Sequence, residues 1–165
     1  MSGHTEADGL STATRLLIHY TGDIHQPLHA TARVNHEYPA GDRGGNSFPL
    51  PSIDGAKNLH SAWDSVLYSE PQDFTTPFSD ADWDKVGTIA KSLVAKYPPS
   101  GDVDSLDPLV WAKDSYEIAS TFLYKNIKES TALTSSYVND GAAIAESQIV
   151  KGGTRLANLM IAIFG

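Results

Sequence analysis

The chain has 165 residues, 41% hydrophobic and 19% charged, a balance that suits one globular domain with its own core and excludes a disordered polymer. A net charge of −8 argues against a broad basic groove holding nucleic acid by counterion release. There is no cysteine, hence no disulfide and no thiolate ligand, and no apolar run is long enough to cross a bilayer.

Any bound metal must therefore be held by histidine and carboxylate. The acidic charge does not exclude a phosphate-containing substrate, because bound divalent cations would be the largest local charges and would reverse the sign of their site. No signal-peptide pattern opens the chain.

Taken in order, Leu10, Ala13, Leu17 and Ile18 recur at helical spacing. They predict a helix from about residue 7 into the stretch His19-Tyr20-Thr21-Gly22-Asp23-Ile24-His25-Gln26-Pro27-Leu28-His29. Pro27 must end or kink it near Gln26, since its ring clashes with the Asp23 carbonyl and it lacks an N–H. Residues 30–57 are punctuated by proline and glycine and read as irregular, with Phe48-Pro49-Leu50 as a short extended piece. A loop of that length inside a compact domain is often functional.

Asn58 to Tyr68 reads as a short helix, with Leu59, Ala62, Trp63, Val66 and Leu67 on its apolar side. Glu70 to Pro77 is a loop. Ser79 or Asp80 caps a helix over 80–97, which Tyr97-Pro98-Pro99-Ser100-Gly101 stops. Asp107-Pro108 starts another that runs to about Lys128. Asn139 or Asp140 caps a last helix, weakened in its middle by Gly152-Gly153. The class is all-α, and residues 1–165 form a single helical domain.

Chemistry concentrates in two copies of His-x-x-x-Asp: His19 with Asp23, and His60 with Asp64. Residues four apart share a helix face, so each pair can aim an imidazole and a carboxylate at one point. Zinc takes such nitrogen and oxygen ligands at about 2.0–2.2 Å. One such pair alone is more often a plain hydrogen bond; two copies with His29 beside them favour metal. The break at Pro27 lets His29 serve a different ion from His19.

His25 falls on another side of the helix and suits a structural or supporting hydrogen bond. His4 and His36 read as solvent-exposed. Trp63, Trp83 and Trp111 could stack nucleobases but sit on helical stripes, which favours core for all three. Arg43 and Lys57 are the basic residues nearest the motifs. Asn46, beside Gly44-Gly45, can donate to a phosphate oxygen or simply close a turn. Neither a phosphate-cradling glycine motif nor a nucleophile-elbow serine is present.

Leu17 through His29, then Asp42-Arg43-Gly44-Gly45-Asn46, then Asn58-Leu59-His60-Ser61-Ala62-Trp63-Asp64 together resemble the zinc-dependent single-strand nucleases, the nuclease S-one / nuclease P-one family, also called class I nucleases or 3′-nucleotidase/nucleases. Trp111-Ala112 with Ser115 and Ala119 is similar to a later helix of that family, and Gly152-Gly153-Thr154-Arg155-Leu156-Ala157 to its terminal signature. The resemblance implies a mostly helical fold shared with zinc phospholipase C, three zinc ions, and cleavage of single-stranded RNA and DNA to 5′-phosphorylated products, with dephosphorylation of 3′-nucleotides.

By position, it implies that His19 and Asp23 bind a close zinc pair, with Asp23 bridging. It also implies that His29, His60 and Asp64 hold the third zinc. Asp23 and Asn46 become the catalytic candidates, Asn46 in contact with phosphate or supporting a ligand. The family's N-terminal tryptophan, an early histidine, a later Asp and His of the pair, and its base-stacking aromatic have no counterpart here. The chain thus resembles the C-terminal portion of such an enzyme, with one complete zinc site and one partial pair. Two expectations follow. One is a zinc phosphoesterase; the other is a helical zinc-binding module without turnover, which self-associates or needs a partner half. The resemblance implies a protein that is secreted or lies at endomembranes or the cell surface, an address that these residues do not specify.

Overall fold

The computed structural model describes residues 5–67 and 74–165. Helix α1 spans Glu6–Ile24 and starts at a capping box, in which Thr5 and Asp8 satisfy each other's backbone donors. It ends two residues before the expected Gln26. A 3-10 turn, Pro27–Ala30, follows with Gln26 as its cap. Pro27 occupies the first position of that turn, where its missing N–H costs nothing.

Residues 31–58 are less irregular than the sequence suggests. Strands β1 (Pro49–Ile53) and β2 (Ala56–Asn58) form an antiparallel hairpin. Its two-residue loop is Asp54-Gly55, both at positive φ (45° and 92°). An aspartate–glycine pair between two extended runs is a strong hairpin signal, and the sequence reading passed over it.

Helix α2 is short, Leu59–Ser61, and continues as a π turn over Ala62–Val66, closed by the Leu67 N–H on the Ala62 carbonyl at 3.0 Å. Tyr68 and residues 70–73 of the expected loop lie outside the described residues. Helix α3, Asp80–Lys96, is capped by Ser79, one of the two residues expected. Helix α4, Pro108–Ile118, begins on Asp107 as expected but passes into a π turn at Ala119–Leu123 and stops there, short of Lys128.

Helix α5, Ser135–Phe164, starts earlier than expected: Thr134 caps it, rather than Asn139 or Asp140. It runs through Gly152-Gly153 without a break, because tertiary packing outweighs the low helix propensity of glycine.

The core gathers Leu28, Phe48, Leu50, Ala56, Leu59, Ala62, Trp63, Leu67, Ala119, Leu123 and Tyr137. Burying a leucine such as Leu59 or Leu123 contributes about 1.5–3 kcal/mol. Trp63 and Trp111 are buried as expected. Trp83 is not: it is 62% exposed on α3, tilted against Phe78, which in turn stacks on Phe74. The all-α reading holds, with the hairpin as the one sheet among the described residues. Among those residues no helix is long and apolar enough to cross a membrane.

Candidate metal centre

Asp23, His29, His60 and Asp64 line a cavity of about 720 Å³ between α1, the 3-10 turn, α2 and α5, and His19 lies outside its lining. His29, His60 and Asp64 each offer a ligand atom, and these atoms lie within 4.8 Å of one another. Nε2 of His60 stands 3.5 Å from Oδ2 of Asp64, and Nε2 of His29 stands 3.9 Å from Oδ1. Ligands at zinc distances in a tetrahedron are about 3.4 Å apart. The donor set suits a zinc-sized ion, which would draw these side chains somewhat closer together. The rings of His29 and His60 are stacked, 5.0 Å between centroids.

Each ligand is placed by a local device. His60 and Asp64 are brought to one face by the turn where α2 becomes π. Nδ1 of His60 lies 2.8 Å from the Gly44 carbonyl. A carbonyl only accepts, so Nδ1 carries the proton and Nε2 keeps its lone pair for a cation.

The Gly44 carbonyl is fixed in turn. Gly44 has φ +62°, and a Cβ there would sit 2.3 Å from the Leu28 carbonyl oxygen. Gly45 packs on Leu28 and Leu59, with the His60 N–H donating to its carbonyl at 3.4 Å. Asp42, fully buried, anchors the loop: it accepts from the Arg33 N–H at 2.9 Å and the Tyr124 hydroxyl at 2.8 Å. Burial and this bond push the Tyr124 phenol up, so it stays a donor. In the sequence alone Asp42 has no evident role within its motif. The available signal was an aspartate directly preceding Arg-Gly-Gly in a long loop.

The second pair is more open. Nε2 of His19 lies 3.2 Å from Oδ2 of Asp23, one turn apart on α1, and the His19 side chain is largely exposed. The same Asp23 oxygen is 3.7 Å from Nδ1 of His29. Asp23 therefore stands between His19 and the three-residue group. Asn46 is exposed and donates Nδ2 to the Arg43 carbonyl at 2.9 Å, which closes its own turn. It does not line the cavity. Arg43, Lys57 and His36 are exposed.

His25 is buried and supports the centre without facing it. Its Nδ1 donates to the Thr21 carbonyl at 2.7 Å, and its Nε2 accepts from the Arg155 guanidinium at 3.1 Å. Both nitrogens are used, so none is left for a metal. Burial lowers the pKa of this imidazole; the Thr21 bond opposes that shift, and the Arg155 and Lys151 charges add to it.

Arg155, fully buried, also donates to Asp114 at 2.7 Å and to the Asp102 carbonyl. Gly152 makes room for this joint, since a Cβ there would lie 3.1 Å from the His25 ring. The terminal Gly-Gly-Thr-Arg motif thus clamps α5 to the end of α1.

The S1/P1 Nuclease family model matches residues 1–165. Among curated proteins, the chain is 30% identical to Endonuclease 3 of Arabidopsis thaliana over 166 residues, covering 94% of this chain and 52% of that protein. It is 31% identical to Nuclease P1 of Penicillium citrinum, covering 93% of this chain and 58% of that protein. Nuclease S1 of Aspergillus oryzae is 27% identical over 88% of this chain and 52% of its own length. The chain spans about half the length of the curated relatives it matches.

Proposed function

This chain belongs to the S1/P1 nuclease family, and from that premise we propose that it is the metal-holding portion of a zinc-dependent phosphoesterase. Its substrates in this reading are single-stranded RNA and DNA, cleaved to 5′-phosphorylated products, and 3′-nucleotides, from which it releases phosphate. The convergence of His29, His60 and Asp64 carries the proposal. Two imidazoles and one carboxylate suit zinc and leave coordination open, as catalytic rather than structural zinc sites do.

Zinc bound there would supply a Lewis acid for a phosphoryl or departing oxygen. The chain's own residues do the rest. His60 is held in the tautomer that leaves Nε2 free for a cation. Asp64 brings negative charge that offsets the cation. Asp23, 3.2 Å from His19, would with it hold part of a separate zinc pair, in which its carboxylate would bridge. Leu156, Ile149 and Ile18 add apolar side chains to the cavity lining. Asn46 supports the glycine turn behind His60, and a phosphate contact by its amide belongs to the proposal.

Exposed Ile18 and Tyr20 on α1 and Ile149 on α5 favour a second reading. In it the chain is a helical zinc module that turns over only when another chain covers these faces. The test is metal content, followed by hydrolysis of single- and double-stranded substrates and of 3′-AMP, with and without chelator. Chelator-sensitive cleavage of single strands by the chain alone supports the first reading. Near one zinc per chain with no turnover supports the second.

A further inference from the structure

Gln26 sits between Asp23 and His29 in sequence, and its side chain reaches neither. We infer that Gln26 is the positioning residue that fixes which oxygen of Asp64 faces the metal, an inference that rests on the zinc reading above. Its amide is oriented from behind. Oε1 accepts the Leu28 N–H at the start of the 3-10 turn, so the NH₂ end must point away from that turn. It points at Asp64, where Nε2 donates to Oδ1 at 2.8 Å. An amide whose oxygen is committed to a backbone N–H cannot flip without losing both bonds.

The consequence is a carboxylate with unequal oxygens. Oδ1 takes the Gln26 bond and lies 3.9 Å from Nε2 of His29, while Oδ2, without that bond, lies 3.5 Å from Nε2 of His60. Asp64 is therefore held to present one oxygen beside His60, and its rotamer is set before a cation arrives. The backbone of Gln26 adds a second constraint. Its N–H donates to the Asp23 carbonyl at 3.0 Å and its carbonyl accepts the His29 N–H at 2.9 Å. One residue thus ties the end of α1, the turn that carries His29, and the ligand on the far side of the site. Hydrogen bonds to metal ligands set ligand orientation, and their loss typically weakens metal binding 10–100-fold.

Two roles must be separated: orienting Asp64, and capping the turn that carries His29. Serine keeps the cap, since it is a good acceptor for the Leu28 N–H, but it cannot reach Asp64. The experiment measures zinc affinity by competition with a chromophoric chelator for the wild type, Gln26→Ser, Asp64→Ala and the double variant. Gln26→Thr, with the same capping chemistry, is measured alongside. The expected result is a loss of roughly 10–100-fold for Gln26→Ser and Gln26→Thr in the wild-type background. In the Asp64→Ala background the same change should matter by no more than about twofold. Unchanged affinity in the single variants overturns the inference. Equal losses in both backgrounds overturn it too, by assigning the effect to the turn. Wild-type protein that takes up no zinc overturns the metal reading beneath it, and this role with it.

Discussion

Nδ1 of His29 lies 3.7 Å from Oδ2 of Asp23, although a regular helix would point these two residues well apart. The contact exists because α1 stops at Ile24 and the chain re-enters as a 3-10 turn at Pro27. The break does not merely release His29 toward a separate ion. It leaves one imidazole between two carboxylates, with Nε2 3.9 Å from Asp64. If Nε2 held a cation, Nδ1 would be left on the Asp23 side, at a distance longer than a hydrogen bond.

That arrangement makes His60 the sharpest place to remove the site. His60→Ala deletes the one ligand whose tautomer is fixed by a backbone carbonyl. Titration should show loss of the tightly bound zinc, while His36→Ala, at an exposed position, binds as the wild type does. Unaltered stoichiometry in His60→Ala would place the ion elsewhere.

Gly44→Ala should disturb the metal through a residue that never touches it. The added Cβ meets the Leu28 carbonyl at 2.3 Å, and the positive φ is strained for alanine. The loop must shift, and with it the carbonyl that holds His60. Both a lower melting temperature and weaker zinc binding are expected. Zinc affinity equal to wild type would separate the loop from the site.

The adjacent glycines of α5 should respond in opposite directions. Gly152→Ala forces a Cβ against the His25 ring at 3.1 Å, and such overpacking typically costs about 1–3 kcal/mol. Gly153 has open space around its Cβ position, so Gly153→Ala should stabilise by about 0.5–1 kcal/mol through helix propensity. Urea denaturation of the two variants reads the difference directly. Equal behaviour would mean that α5 does not pack on His25 as described.

Arg155→Met should cost on the order of 3 kcal/mol, because it strips a buried charge network of one partner. Asp114 would keep Lys151 at 3.0 Å, while the His25 Nε2 and the Asp102 carbonyl would lose their donor. Arg155→Lys keeps the charge but not the planar fork, and should fall between the two in a denaturant titration. A Met variant as stable as wild type would show that the clamp between α5 and α1 adds no stability.

Much of this was legible in the sequence. Periodicity and caps locate α1, α3 and the start of α4, and the motifs name Asp23, His29, His60 and Asp64, which line the cavity. What was hidden depends on contacts between distant segments. Nothing local distinguishes Trp83, left exposed on its helix, from Trp63, which is buried and donates to the Tyr137 hydroxyl. The π turns at Ala62 and Ala119 carry no proline or glycine to mark them. Asp42 and Gln26 look like loop polar residues until Tyr124 and Asp64 arrive from elsewhere in the chain.

The central claim is that one zinc is held by His29, His60 and Asp64. Crystals of this chain grown with zinc and measured on either side of the zinc absorption edge test it most directly. The account predicts an anomalous peak at about 2.0–2.2 Å from an imidazole nitrogen of His29, from Nε2 of His60 and from a carboxylate oxygen of Asp64. A zinc-loaded crystal with no peak among these three side chains would contradict it.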